Sequence, residues 1–348
     1  MEAAKFNLRK WNSNDVDVRR ELSTEEVGIA EQKILGLAWC TVNDKISVDV
    51  KSCNDYIQTL RATKRNVLKA MAKIYDPLGL LGPFTVRIKI RLQEVWRQKK
   101  EWDVIMDGET QSAFSQWQEE LALLETFCVD RCLSAGSESI LELHIFSDAS
   151  PKAYGAVAYC RQIMPTGRIL TNIVCSKNRV SPISENNKEV ELTLPKLELT
   201  AALMAARLKE TLVKSLCVKI SAVYLWTDSS IALNWINGCG RKPKPYIKAR
   251  VAEINQMSNI YDWHHCSGKL NPADLLTRDA SKVESVPFDV ENNDGAEYGS
   301  AEGSDAENEI VVEINAFEID EGDNDDDEEI IDQGNMVRSE DTFQQETI

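Results

Sequence analysis

The segment ILELHIFSDAS, residues 140–150, decides the fold because it is an apolar strand pattern that ends on an acidic residue. Two more strand patterns follow it, YGAVAYCRQI (154–163) and ILTNIVCSKNRV (169–180), separated by the turn residues 165–167. Three consecutive strands with short connections predict a meander that begins at residue 140.

Helices and strands then alternate. LPKLELTAALMAARLKETLVKSL (194–216) has leucine, alanine and methionine on one face, which predicts a long packed helix. After it come the strand AVYLWTD (222–228), a short helix capped by Ser229 and Ser230, the helix PYIKARVAEINQMS (245–258), the strand YDWHHCS (261–267) and the short helix NPADLLTR (271–278). This order predicts an α/β fold with a mixed five-stranded sheet flanked by helices.

The residues upstream have a different pattern. ILGLAWCTVNDKISVDV (34–50) predicts a hairpin that turns at Asn43 and Asp44. Three amphipathic helices follow, from Thr63, over 86–102 and over 110–127, and their apolar stripes predict core packing. The first is broken by the prolines and glycines of residues 77–83.

Charge divides the chain unevenly. Residues 281–348 hold 23 Asp and Glu but two basic residues, which leaves 33 acidic and 38 basic residues in 1–280. The mildly basic body is compatible with a polyanionic partner. The acidic tail cannot bury enough apolar area to order itself, and we expect it to be disordered. Its more apolar run EIVVEINAFEI (309–319) is a candidate for ordering against a partner.

The nine cysteines are scattered and none is spaced as a C-x-x-C pair, which favours reduced thiols over a zinc site or a disulfide framework. The first residues lack the apolar stretch of a signal peptide. No window approaches the roughly 18 apolar residues of a membrane span. We therefore expect a soluble cytoplasmic or nuclear protein that has no membrane partner.

Four acidic residues stand at the junctions of predicted elements. Asp148 closes the first strand of the meander, Asp228 closes the fourth strand, Glu198 lies in the first turn of the long helix, and Asp274 begins the last helix. Side chains at the carboxyl ends of neighbouring strands converge at one edge of the sheet. Any one of these acids alone is as well explained by a solvated surface charge or a helix cap.

Carboxylates gathered in one place repel each other unless cations neutralise them. Oxygen ligands without Cys or His favour Mg²⁺ or Mn²⁺ over zinc. Two such ions can activate a water and stabilise the leaving oxygen of a phosphodiester. The pattern therefore predicts that these four acids hold two metal ions in a phosphodiester hydrolase. His265, nine residues before Asp274, is placed to carry a proton or to help product leave, whereas His264 and His144 are expected to be structural.

FSDAS, YGAVAY, LPKLELTAAL, LWTDSSIALNWI and HCSGKLNPADLLTR resemble the ribonuclease H region of Pao/BEL-type LTR retrotransposon polyproteins. FNLRKW, ILGLAW and AKIYDPLGLLGPFTVRIKIRLQEVW resemble the segment between polymerase palm and ribonuclease H in the same polyproteins. The resemblance covers about residues 5–280. It implies a ribonuclease H-like fold and three units: the end of the palm (1–54), a helical thumb or connection region (55–135) and the ribonuclease H-like domain (138–280). The resemblance does not reach the acidic tail (281–348), which composition predicts as a fourth unit.

The resemblance also implies roles for single residues. Asp148 would bridge both metals, Asp274 would complete the metal on the nucleophile side, and Glu198 with Asp228 would hold the other. His265 matches the family's mobile histidine. The implied substrate is the RNA strand of an RNA–DNA hybrid, cut to leave a 3′-hydroxyl. Three further residues are expected near backbone phosphates or sugars: Ser230, Asn234 and Lys269.

Other activities find less support in the sequence. The chain has no Y-x-D-D motif, so we expect no polymerase activity from it alone, and the polymerase part of a longer polyprotein is an expected partner. Neither SDAS nor TDSS supplies the glycine of an aspartic protease. One alternative is a catalytically silent remnant that binds nucleic acid or protein, with the tail competing for the basic body. Another is a scaffold in which only the helical region matters.

Overall fold

The computed structural model describes residues 12–21, 31–133, 139–182, 192–238 and 243–278. The predicted disorder of 281–348 and the apolar run at 309–319 lie outside the described residues. Within the described ranges no helix is both long and apolar enough to cross a membrane.

The first part of the described chain is built on a small antiparallel sheet. Its strands are β1 (Glu31–Ile34), β2 (Leu37–Cys40), β3 (Lys45–Val48) and β4 (Val129–Asp130), in the order β1-β2-β3-β4, after a short helix α1 (Val16–Glu21). The predicted hairpin is confirmed as β2 and β3, and Asp44 turns the chain with a φ of 51°. The strand β4 joins it from 80 residues downstream, a pairing that local pattern could not predict.

Four helices connect β3 to β4. They are α2 (Lys51–Gln58), α3 (Lys64–Lys73), α4 (Gly82–Arg97) and α5 (Gly108–Leu121), and a 3₁₀ turn over Ala122–Thr126 follows. Thr63 begins α3 by accepting a hydrogen bond from the backbone N–H of Asn66. The bounds predicted for α4 are wrong: the helix begins four residues earlier, because Pro83 fits the first turn, where no N–H is needed. It ends at Arg97, before Lys99 takes a positive φ.

The second sheet has five strands and is mixed, as predicted. Its strands are β5 (Ile140–Ala149), β6 (Ala153–Ile163), β7 (Ile169–Val180), β8 (Ala222–Thr227) and β9 (Trp263–His265), in the order β7-β6-β5-β8-β9. The first three form the antiparallel meander, and β8 and β9 run parallel to β5. Its helices are α6 (Leu194–Ser215), α7 (Ser230–Ile236) and α8 (Pro245–Met257). The last predicted helix is a 3₁₀ turn over Pro272–Leu276.

The two faces of this sheet are covered differently. α6 packs on the face that carries Leu143 and Ile145, both fully buried. On the other face Phe146 and Trp226 stack with their ring centroids 5.8 Å apart, and the 3₁₀ turn of Pro272–Leu276 packs against β5 and β6. That turn closes the sheet at the end where β5 and β8 finish.

The edge strand β7 is covered by the loop between α3 and α4. The backbone N–H of Ser176 donates to the carbonyl of Leu78 at 2.8 Å, and the amide of Asn178 donates to the carbonyl of Gly82 at 3.0 Å. Gly79 lies so close that a Cβ there would be 2.0 Å from the carbonyl oxygen of Ser176. The helical region is therefore packed directly onto the second sheet, and one buried apolar core runs through both.

Candidate carboxylate site

Asp148 and Asp228 lie side by side at one end of the second sheet. β5 and β8 are parallel, and their last register pair is Ser147 with Thr227, so the next residue on each strand is one of these acids. Neighbouring strands are about 4.8 Å apart. The two carboxylates that the sequence placed at strand ends are thus brought together.

Glu198 reaches the same place from α6. It is the fifth residue of the helix, which begins at Leu194 as predicted, so Glu198 lies just after the first turn instead of in it. Its Oε2 accepts a hydrogen bond from the hydroxyl of Ser229, the residue that follows Asp228. This contact ties the start of α6 to the end of β8.

Asp274 approaches from the last described segment. Asn271 fixes its 3₁₀ turn: the side-chain oxygen of Asn271 accepts from the N–H of Ala273, and its amide donates to the carbonyl of Ser147 at 3.0 Å. Asp274 therefore stands beside the end of β5, where its carboxylate pairs with Arg278.

The pKa values of two of the four carboxylates, Asp228 and Asp274, are raised by acidic neighbours as well as by burial. The pKa of Asp228 is raised to about 6, first by burial and then by the negative charges of Asp148, Glu198 and Asp274. The pKa of Asp274 is raised by burial and by Asp148, against the opposing effect of Arg278. Such mutual repulsion is what a bound cation relieves.

Asp148 is the most buried of the four, with 7% of its surface exposed. The hydroxyl of Thr277 donates to its Oδ2 at 2.5 Å. Cys266 is buried close by, and burial, followed by the charges of Asp228 and Asp148, raises the pKa of its thiol to about 12. The thiol is therefore protonated at neutral pH. The groups at this site that could bind a metal ion are the carboxylate oxygens.

Among the residues that the structure describes, no group of three or more His, Cys, Asp or Glu side chains stands in a metal-binding arrangement. Three of the four carboxylates are engaged by the chain itself, with Ser229, Thr277 and Arg278 as their partners. The chemistry of the four side chains nevertheless fits a hard divalent cation, since all four are carboxylates near the end of the sheet where β5 and β8 finish.

The three histidines occupy different environments. His265 is exposed at the end of β9, and its Nε2 lies 3.1 Å from the backbone carbonyl of Asp228. His264 is held between rings, 5.1 Å from Trp226 and 5.6 Å from Tyr224, and burial lowers its pKa. His144 is buried and accepts a hydrogen bond from the indole N–H of Trp226 at its Nδ1. Only His265 stands beside the carboxylates with an accessible ring.

The residues predicted to meet a nucleic-acid backbone are all exposed. Ser230 and Asn234 lie four residues apart on α7, and hence on one face of the helix. Lys269 follows Gly268, at which a Cβ would lie 3.0 Å from Oδ2 of Asp228. Their position around the carboxylates is compatible with the prediction, which no contact in the structure tests.

Sequence reasoning missed four residues that position the acids. They are Ser229, Asn271, Thr277 and Arg278. The sequence indicated that Ser229 caps a helix, but it did not indicate the hydrogen bond that Ser229 donates to Glu198. The contacts of Asn271 and Thr277 join segments more than 120 residues apart, so no local pattern indicates them.

Residues 63–229 match a family model described as the Pao retrotransposon-like RNaseH-like domain. The matched range contains Asp148, Glu198 and Asp228 and ends before His265 and Asp274. It also begins at the cap of α3, well before the second sheet. No curated protein matches the sequence.

Several solved structures are similar to parts of the chain. The N-terminal RNase H domain of Rv2228c from Mycobacterium tuberculosis is 12% identical over 40% of this chain and 94% of its own, with a TM-score of 0.28. LC11-RNase H1, solved with an RNA/DNA hybrid, is 16% identical over 40% and 95%, with a TM-score of 0.27. A foamy viral protease–reverse transcriptase, solved with double-stranded DNA, is 14% identical over 68% of this chain and 38% of its own, with a TM-score of 0.24.

Proposed function

Because this chain carries a Pao retrotransposon-like RNaseH-like domain, we propose that it is a metal-dependent ribonuclease that hydrolyses the RNA strand of RNA–DNA hybrids. The observation that carries the proposal is the pairing of β5 with β8, which brings Asp148 and Asp228 side by side at one end of the sheet. Burial and the charges of Asp148, Glu198 and Asp274 raise the pKa of Asp228. Acids from four different segments lie near the end of the sheet where β5 and β8 finish, close enough for three of them to raise the pKa of Asp228. A group of this kind is costly to the fold unless it serves a cation.

In this proposal Asp148, Glu198, Asp228 and Asp274 hold two Mg²⁺ or Mn²⁺ ions. When bound, the ions supply the Lewis acidity that phosphodiester hydrolysis needs. The neighbouring side chains keep the carboxylates in place: Thr277 fixes one oxygen of Asp148, and Ser229 fixes one oxygen of Glu198.

The remaining residues of the site handle the substrate and its protons. Arg278 is exposed and pairs with Asp274, so it is the cation proposed to contact a phosphate when a metal takes its carboxylate partner. His265 is exposed beside Asp228 and is placed to accept or donate a proton. Ser230, Asn234 and Lys269 are the proposed contacts to the nucleic-acid backbone. The polymerase part of a longer polyprotein is a further proposed partner.

The test is hydrolysis of a labelled hybrid by the purified full chain, with Mg²⁺, with Mn²⁺ and with EDTA. Asp148→Asn is compared with Asp55→Asn, the same chemical change at an exposed position on α2. We expect RNA-strand cleavage that requires the metal, leaves a 3′-hydroxyl, survives in Asp55→Asn and disappears in Asp148→Asn. All-DNA duplex should remain uncut, since the 2′-hydroxyl distinguishes RNA from DNA.

A second function follows from a different observation. Three of the carboxylates are already held by Ser229, Thr277 and Arg278, which is also how a catalytically silent binding module would keep these charges. In that case the full chain binds the hybrid with the same affinity in Mg²⁺ and in EDTA, and no RNA is cut. Cleavage in the first assay excludes this alternative.

A further inference from the structure

Helix α3 carries a row of basic residues on its exposed face. Residues 61–73 read RATKRNVLKAMAK, with five basic residues and no acidic one. Four of the five recur at every fourth position and are exposed: Arg61, Arg65, Lys69 and Lys73. Arg65, Lys69 and Lys73 lie on α3, where positions four apart share one helix face. Arg61 lies on the segment just before the cap residue Thr63.

Three members of this row form no ion pair with the described residues, although Lys69 lies near Asp103 and Lys73 has its Nζ 5.2 Å from the ring centre of Tyr56. Arg65 pairs with Asp103, at 2.8 Å. Within the described part of the chain, no acidic side chain forms an ion pair with Arg61, Lys69 or Lys73. The other basic residue, Lys64, faces inward with its Nζ 3.6 Å from the ring centre of Trp96. Within this one helix, Lys64 is buried against an aromatic ring, whereas Lys69 and Lys73 are exposed.

The packing of Lys64 also fixes the direction of the row. It places the start of α3 against the end of α4, so the two helices run antiparallel and Lys73 lies toward the start of α4. That start touches the carboxylate end of the second sheet: a Cβ at Gly82 would lie 2.8 Å from a methyl group of Leu276, two residues after Asp274. The row therefore extends away from the side of the molecule where the four acids meet.

We propose that Arg61, Lys69 and Lys73 bind the phosphate backbone of the nucleic-acid duplex whose RNA strand lies at the carboxylates, which rests on the proposed function. The three members of the row on α3 are spaced about 6 Å apart along the helix axis. A duplex strand offers a phosphate about every 3.4 Å of its axis, so a row of this length spans several phosphates. Backbone contacts of this kind hold the duplex in register and carry no sequence preference.

The experiment measures binding of the full chain to a fluorescent 24-base-pair RNA–DNA hybrid in EDTA, as a function of NaCl concentration. The test variant is Arg61→Gln/Lys69→Gln/Lys73→Gln. The matched control, Arg168→Gln/Lys214→Gln/Lys219→Gln, also removes one arginine and two lysines from exposed positions. In the control, Arg168 stands in the β6–β7 turn and Lys219 precedes β8, both at the opposite end of the sheet from Asp148.

Each phosphate contact contributes about 0.9 to the slope of log affinity against log salt. We expect the test variant to lose about 2 to 3 units of slope against the control, with an equal loss on an all-DNA duplex. A charge-preserving variant, Arg61→Lys/Lys69→Arg/Lys73→Arg, should keep the slope, which separates lost charge from damaged folding.

Equal slopes in the test and control variants would overturn the inference. Tighter binding by the test variant would also overturn the inference. It would indicate that the basic row binds the acidic residues of 281–348 and not the duplex. The result is independent of catalysis, because EDTA prevents cleavage. A chain that never cuts RNA but loses slope in the test variant contradicts the proposed function and supports this surface.

Discussion

The hydroxyl of Thr277 donates a hydrogen bond of 2.5 Å to Oδ2 of Asp148, joining the last described turn to the end of β5 across 129 residues of sequence. Thr277 is 1% exposed and Asp148 is 7% exposed, so neither partner has water as a ready substitute. The most buried acid of the site is therefore oriented by a neutral side chain.

Replacing Thr277 by valine keeps its shape and removes the donor. We expect the full chain to lose about 1 to 3 kcal/mol of unfolding free energy, the cost of a buried acceptor left unsatisfied. Urea denaturation measures the loss. Thr277→Ser, which retains the hydroxyl, should lose less unfolding free energy. A valine variant as stable as the wild type would show that this hydrogen bond does not stabilise the fold.

Asp228 should make stability depend on pH in the absence of divalent metal. Its folded pKa of about 6 lies above its ordinary value of 3.8, so the folded state binds more protons than the unfolded state between these pH values. Stability is then highest below about pH 4 as far as this group is concerned, and it falls as the pH rises through 6.

Asp228→Asn removes this effect. At pH 8 we expect the variant to be more stable by about 1 kcal/mol, after discounting the shift for the half-exposed position of the group. The gain should shrink as the pH is lowered from 6 to 4, and Mg²⁺ should stabilise the wild type more than the variant. Melting temperatures across this range provide the test, and a gain that grows toward low pH would contradict the sign.

The order of strands and helices in the second sheet was predictable because its patterns are local. Alternating or continuous apolar runs indicated β5 to β8, and the apolar face of α6 indicated a packed helix. Asp148 and Asp228 followed, since strand ends are visible in the sequence. The ribonuclease H-like fold expected from the resemblance is confirmed by the family match and by the mixed sheet.

What the sequence could not indicate depends on contacts between distant segments. The pairing of β4 with β3, the loop that covers β7 and the partners of the four acids all arise only when the chain closes. The bounds of α4 failed for a local reason, because Gly82 and Pro83 were read as helix breakers and Pro83 instead fits the first turn. The division into 1–54, 55–135, 138–280 and 281–348 stays a prediction, as do the roles of the site residues.

Gly79 tests the contact between the helical region and the second sheet. Gly79→Ala forces a Cβ to within 2.0 Å of the carbonyl oxygen of Ser176 at a φ of +67°. We expect a loss of about 3 kcal/mol, from the clash and the strained backbone together. Gly238→Ala is the control: its φ is +73° but nothing lies within 4 Å, so it should lose about 1 kcal/mol.

Chemical denaturation of both glycine variants separates the two contributions. Equal losses would mean that the contact between Gly79 and Ser176 does not stabilise the fold beyond the backbone strain that both positions share.

Ser229 and Ser230 are adjacent but should differ sharply. Ser229 caps α7 by accepting from the N–H of Ala232 and also donates to Glu198. Ser229→Ala should therefore cost about 1 kcal/mol or slightly more. Ser230→Ala, at an exposed position, should leave stability within about 0.5 kcal/mol and weaken hybrid binding instead. Thermal melts measure the stability of both variants, and titrations measure their hybrid binding. If Ser230→Ala lost stability and Ser229→Ala did not, the roles assigned to the two serines would be wrong.

The most direct measurement is the rate of RNA-strand cleavage by four single variants assayed together in Mg²⁺: Asp148→Asn, Glu198→Gln, Asp228→Asn and Asp274→Asn, with Asp55→Asn as the control. If the four carboxylates act as one metal-binding group, each of the four variants should lose at least about 100-fold in rate, and the control should match the wild type. A variant at any one of the four positions that cuts the hybrid at the control's rate would contradict the account.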